Sequence, residues 1–279
     1  MRSHSSPSFS LSKPQWCNPL NDVRPAGEFG QLEVRIAHKA FTAASGERFD
    51  VLRDICFELG RSEVGALVGP SGCGKTTILR IIAGLDTDFK GTVERRLSSR
   101  LGMVFQEPRL LPWRTVEDNV RIVAPGIVAE ALTSLFKDLD LEAHRLHYPG
   151  ELSLGLARRV ALARALAVDP DLLLLDEPLV SLDETLAERL RAQLVALIES
   201  RPITTLLVTH DLQEAIRLAD RIFLLSPRPA QIVAEFPLTT PRSARSEREI
   251  ATITGEVTSR ISGRVERGGP VTEHDATDL

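Results

Sequence analysis

Residues 69–77 read GPSGCGKTT, between two apolar runs, Val64 to Val68 and Ile78 to Ile82. Gly69, Gly74, Lys75 and Thr76 satisfy the pattern G-x-x-x-x-G-K-[ST]. The spacing has a physical reason. A loop that wraps phosphate turns its amides inward, where a Cβ would collide with the oxygens, so glycine recurs. A helix that begins straight after the loop aims free N–H groups and the positive end of its dipole at the same anion. The stretch Gly69, Pro70, Ser71, Gly72, Cys73, Gly74, Lys75, Thr76 and Thr77 is therefore read as a cradle for nucleotide phosphates. Lys75 is expected at the β- and γ-phosphates and the Thr76 hydroxyl on Mg²⁺. Cys73 reads as a small loop filler. The bland alternative is a glycine turn before a helix. It is disfavoured by context, because a strand signal precedes the loop and a helix signal follows it, as the mechanism requires.

Working outward, strand and helix signals alternate. Leu32 to Ala37, Val51 to Leu59, Leu101 to Phe105, Leu172 to Leu175, Ile203 to Val208, Ile222 to Leu225 and Gln231 to Glu235 read as strands. Leu186, Leu190, Leu194 and Leu197 recur at helical spacing. Such alternation predicts an α/β fold with a largely parallel central sheet. The stretch from about 115 to 168 lacks strand signals and predicts a helical insertion. Residues 1–30, rich in Ser, Pro and Asn, read as a disordered tail. Beyond residue 242 the chain is polar, with Ile250, Ile253, Val257 and Ile261 at the spacing of a short docked helix.

A second carboxylate pair ends the run LLLLDEP, Leu172 to Pro178. A strand end beside the phosphate loop would deliver Asp176 to the Mg²⁺ shell. Glu177, one residue on, would orient and polarise a water in line with the γ-phosphate. An ordinary solvated strand end is the competing reading, and the phosphate loop upstream makes it the lesser one.

Bulk properties narrow the classes. The chain has 279 residues, 43% hydrophobic and 26% charged, enough for a globular core. A net charge of −4 argues against a general nucleic-acid binder. The three cysteines, Cys17, Cys56 and Cys73, form no CxxC pair, so neither a zinc site nor a disulfide framework is expected, and a reducing compartment fits. The N-terminal stretch lacks the apolar core of a signal peptide. No apolar run approaches the roughly 18–20 residues needed to span a bilayer. Any work at a membrane is expected to go through a partner.

The chain resembles the ATP-binding subunits of ABC transporters over about residues 32–237. The resemblance rests on GPSGCGKTT, VFQEP (Val104–Pro108), ELSLGLARRVALARAL (Glu151–Leu166), LLLLDEP, SLD (Ser181–Asp183) and VTHD (Val208–Asp211), six motifs in the family's order. It implies a P-loop NTPase cassette over 31–241, with a largely parallel core sheet, an antiparallel β part and a helical subdomain at about 107–168, followed by a C-terminal helix and polar tail over 242–279. It implies that Gln106 senses Mg²⁺ and the attacking water, and that His210 contacts the γ-phosphate. Asp183 would lie at the contact between two subunits, and Phe41 would stack on adenine, with Phe49, or a core role for Phe41, as the competing reading. Ser153 and Gly155 would close the outer face of ATP held by a second copy of the chain. The signature departs from the usual L-S-G-G-Q, since Leu154 and Leu156 stand where the first glycine and the glutamine are expected. Arg61-Ser62-Glu63 stands where a glycine commonly precedes the acid.

The cluster Leu110, Leu111, Pro112 and Trp113 would be exposed on the helical insertion, and exposed apolar clusters mark interfaces; the competing reading packs Trp113 inside the insertion. The stretch looks like that of importer subunits for nitrate, sulfonate, taurine and bicarbonate. The resemblance implies a peripheral ATPase on the cytoplasmic face of the inner membrane. Its partners would be a second copy of itself, a membrane permease and, indirectly, a solute-binding protein, with no nucleic acid. Two other readings stand beside it. A soluble ABC ATPase acting on nucleic acid or ribosomes would normally carry coiled-coil insertions or tandem cassettes. A small-molecule kinase would leave the signature and VTHD unexplained.

Overall fold

Strands that are apolar at every position and strands that alternate sort into two sheets. The computed structural model describes residues 30–96 and 100–265. The first sheet is antiparallel, ordered β2 (Arg48–Leu59), β1 (Leu32–Thr42), β4 (Lys90–Arg95). The second has six strands in the order β5 (Leu101–Val104), β6 (Leu172–Asp176), β7 (Thr204–Thr209), β3 (Val64–Val68), β8 (Arg221–Leu225), β9 (Ile232–Pro237). All its pairings are parallel except that of β9 with β8.

The continuous apolar runs follow from burial on both faces, as parallel sheets require. On β6, Leu172 and Leu174 point to a cluster with β1, β2 and helix α1 (Lys75–Ile82). Leu173 and Leu175 point the other way, to α4 (Leu154–Leu166), α5 (Glu184–Ser200) and α6 (Leu212–Leu218). Each such leucine stabilises the fold by about 1.5–3 kcal/mol relative to exposure. Because β3, β6 and β7 are parallel, their carboxyl ends lie together at one end of the sheet, where ligands of open α/β sheets bind.

The helical insertion holds α2 (Val116–Arg121), α3 (Ala129–Asp138) and α4. Asn119 is fully buried there. Its side chain accepts from Leu111 N–H at 2.7 Å and faces the carbonyls of Leu111, Arg114 and Thr115 within 3.2 Å. That anchor fixes the loop presenting Trp113, which is 69% exposed, while Leu110 packs on the core. The exposed cluster is therefore smaller than expected, with Pro112 and Trp113 outermost.

The C-terminal helix α7 (Glu247–Val265) forms as its spacing predicts: Ile250 and Val257 are buried and Ile253 partly so. The Ile261 side chain and the N-terminal tail lie outside the described residues. Among the described residues no helix is long and apolar enough to cross a membrane.

Three features depart from the expectations. Strand β4, KGTVER, was not expected, because it is a polar edge strand with little burial to leave an apolar pattern. Strand β1 runs on to Thr42 through an irregularity between Lys39 and Ala40. Cys56 on β2 is disulfide-bonded, whereas no bridge was expected; an odd cysteine count without a CxxC pair carries no signal for a single bridge.

Candidate active site

The phosphate loop joins β3 to α1 as expected. Gly72 and Gly74 have φ of 75° and 123°, a region side chains rarely adopt. At Gly74 a Cβ would also stand 2.7 Å from Leu52 Cδ2. The α1 N-terminus has no side-chain cap and no acid in its first turn, so its orphan amides are left for an anion. Lys75 is 5% exposed. Its ammonium donates to the carbonyls of Gly69 (2.7 Å) and Pro70 (3.1 Å), which fold it back over the loop. Cys73 is a buried free thiol, pushed up in pKa by burial, and so suits the filler role.

The end of β6 meets this loop. The Thr76 hydroxyl donates to Asp176 Oδ1 at 3.0 Å. Burial pushes the Asp176 carboxyl above its ordinary range; the Thr76 bond and the charge of Lys75 oppose this, and Glu177 adds to it. Two hard oxygen donors at this separation fit Mg²⁺, which takes few protein ligands and completes its shell with phosphates and water.

Glu177 has φ of 46° and donates its N–H to the Val208 carbonyl at 2.9 Å. That bond ties the β6 end to the β7 end. Three expected residues then converge on the Glu177 carboxylate. Lys75 lies 3.7 Å from Oε1, while Gln106 Nε2 at 3.4 Å and His210 Nδ1 at 3.5 Å face Oε2. The His210 ring, 47% exposed, hangs from a closed ring of hydrogen bonds. Asp211 N–H donates to Thr209 Oγ1, Glu214 N–H donates to Asp211 Oδ1, and the Thr209 hydroxyl donates to Glu214 Oε2. Burial pushes the Glu214 carboxyl up to about 7. Sequence reasoning missed Glu214. It also missed Arg158, whose buried guanidinium donates to the Pro178 carbonyl at 2.7 Å beside Glu177. Neither left a signal in the sequence, because each role depends on burial and on neighbours that folding brings close.

The other expected site residues lie elsewhere. Ser153 caps α4, accepting from Leu156 N–H at 3.3 Å. Gly155 is buried, and a Cβ there would stand 2.4 Å from Leu186 Cδ2. Among the described residues no hydrogen bond joins Ser153 or Gly155 to the phosphate loop. The Leu154 side chain is 46% exposed and points away from the core. Asp183 caps α5 through Leu186 N–H at 3.0 Å. Phe41 and Phe49 are cross-strand partners, both partly exposed, with ring centroids 6.2 Å apart.

A glycine loop at a helix start, with the Thr76–Asp176 hydroxyl–carboxylate pair and the Glu177 carboxylate beside it, is the arrangement of a P-loop nucleoside triphosphatase. Comparisons with known proteins narrow the class. The model of the ABC transporter family matches residues 52–180. The chain is 43% identical over 217 residues to the aliphatic sulfonates import ATP-binding protein SsuB 2 of Pseudomonas syringae pv. tomato, covering 77% of this chain and 91% of that protein. It is 43% identical over 226 residues to an SsuB 2 of Pseudomonas aeruginosa, covering 76% and 90%. A dimeric structure of MJ0796, a bacterial ABC transporter cassette, superposes with a TM-score of 0.66 at 28% identity, covering 75% of this chain and all of that one. A post-hydrolysis dimer of MJ0796 bound to ADP and Pi gives 0.64 at 29%, with the same coverage. The chain belongs to the ATP-binding subunits of ABC transporters. It is an ATPase with the cassette fold that the sequence predicts.

Proposed function

We propose that the chain powers an importer of a small sulfonate-type solute from the cytoplasmic face of the membrane, hydrolysing MgATP as an ATP-bridged pair of copies. The observation that carries the reading is the convergence of Lys75, Gln106 and His210 on Glu177, next to the Thr76–Asp176 pair. The names of the relatives support the solute class, and the MJ0796 dimers support the pairing.

In this reading the amides of Gly72 to Thr76 and the Lys75 ammonium bind the β- and γ-phosphates. Thr76 and Asp176 would hold Mg²⁺, which when bound would neutralise charge on the phosphates. Glu177 accepts a hydrogen bond from the attacking water and orients it in line with the γ-phosphate. Gln106 holds that water from the other side, and His210 stabilises charge on the γ-phosphate. Before nucleotide arrives, Lys75 sits against Glu177, so phosphate entry must draw the ammonium away and release the carboxylate. Ser153 and the Gly155 amide of a second copy, at the start of α4, complete the outer face of the nucleotide. Trp113 and its neighbours receive the permease, and a solute-binding protein delivers the cargo on the far side.

Purification from detergent-solubilised membranes, followed by reconstitution with the co-purified permease and solute-binding protein, tests this. Vesicles should take up an aliphatic sulfonate on ATP addition, and a Glu177→Gln variant should not support uptake. Sulfonate uptake that does not depend on this chain would overturn the reading.

A further inference from the structure

Several arginines of the parallel-sheet half are held by carboxylates: Arg217 by Glu247, Arg242 by Asp220, Arg221 by Glu63 and Glu235. Arg228 is not. It is exposed, and among the described residues no ion pair or hydrogen bond engages its guanidinium. Its place is nonetheless fixed. The β8–β9 turn that carries it is closed by Ser226 N–H to Gln231 O at 2.9 Å and Gln231 N–H to Ser226 Oγ at 3.0 Å. The same turn is stitched to β2 by Arg53 N–H to Ala230 O at 2.9 Å and Ala230 N–H to Val51 O at 2.8 Å.

Both flanks of this unit touch the phosphate loop. A Cβ at Gly69 would stand 2.9 Å from Leu225 Cβ, and one at Gly74 would stand 3.0 Å from Val51 Cγ1. Arg228 Nη2 lies 3.9 Å from the Cβ position of Gly72. Its guanidinium carbon lies 5.8 Å from the centre of the Phe49 ring. An unpaired cation thus stands between an aromatic face and an amide-lined anion loop, on a rigid turn. A nucleotide has the matching layout, with a flat base joined through ribose to phosphates. Guanidinium suits this place because it can lean on an aromatic face and still fork toward phosphate oxygens.

We propose that Arg228 is a nucleotide-binding residue whose guanidinium, propped on Phe49, bonds the α- and β-phosphate segment of the bound nucleotide. The proposal rests on the ATPase reading and adds to it a contact that no motif assigns. Titration calorimetry on the full chain with ATP and with ADP tests it, using Arg228→Gln, Arg228→Lys and, as reference, Lys75→Ala. Arg228→Gln should weaken ATP and ADP by the same factor, about tenfold, because the contacted segment is common to both. Arg228→Lys should recover part of the loss, since the charge stays and the fork goes. The nucleotide-free melting temperature of both variants should match that of the wild type.

Wild-type affinity in Arg228→Gln, with Lys75→Ala impaired, would overturn the contact and leave the ATPase reading intact. A loss confined to ATP would also overturn it, as would a loss that tracks a lowered melting temperature. A wild-type chain that binds neither nucleotide would instead sink the reading beneath it.

Discussion

Glu214→Gln probes the hydrogen-bonded ring that carries His210. Glu214 is 5% exposed, one oxygen accepts from the Thr209 hydroxyl, and the other has no partner. Burial moves its carboxyl from the ordinary 4.5 to about 7; the Thr209 bond opposes this, Asp211 adds to it, and Arg191 and His210 pull back. Arg158 on α4 also faces it electrostatically. The folded chain therefore holds the Glu214 proton more tightly than the unfolded chain between these two values. The contribution to stability is complete below pH 4.5 and is lost as pH rises through about 7. The full displacement corresponds to an upper limit of about 3 kcal/mol, and local relaxation brings the expected figure to about 1–3 kcal/mol. Urea unfolding of the nucleotide-free chain at pH 5 to 8.5 measures it. The stability difference between variant and wild type should shift in the variant's favour by that amount as pH rises. The fixed cost of seating an amide cancels in the slope, and His210 is present in both chains. Parallel curves, within about 0.5 kcal/mol across the range, would refute the reasoning.

Two further outcomes follow from the site. Lys75→Ala removes the ammonium that Gly69 and Pro70 hold over the loop, and ATP affinity by calorimetry should fall about 10- to 150-fold, as for a lost charged hydrogen bond; unchanged affinity would count against the loop assignment. Leu154→Gly removes an exposed apolar side chain from the first turn of α4. Steady-state ATPase activity should rise, and a fall would mean that the leucine belongs to the site.

The phosphate loop was legible because its chemistry is local: glycine φ values, a lysine and a helix start are all encoded within nine residues. The core strands β3, β6 and β7 were legible because burial on both faces leaves unbroken apolar runs. Strand β4 was not, since an exposed edge strand needs no apolar pattern. The roles of Glu214, Arg158 and Arg228 were not legible either, because each depends on neighbours brought close by folding. Arg158 on α4 meets Pro178 in the turn after β6, and Arg228 meets Gly72 and Phe49 across a sheet boundary. The choice between Phe41 and Phe49 stayed open in the sequence, and the structure sets the two rings side by side.

The central claim is that ATP is gripped by one copy's phosphate loop and sealed by the α4 start of another. Sedimentation of Glu177→Gln with and without MgATP measures this directly. The variant should bind ATP, hydrolyse it at least about 100-fold more slowly than the wild type, and pass from one 30.7 kDa chain to a pair when ATP is added. A variant that stays a single chain at saturating ATP, or that turns ATP over at the wild-type rate, would contradict the account.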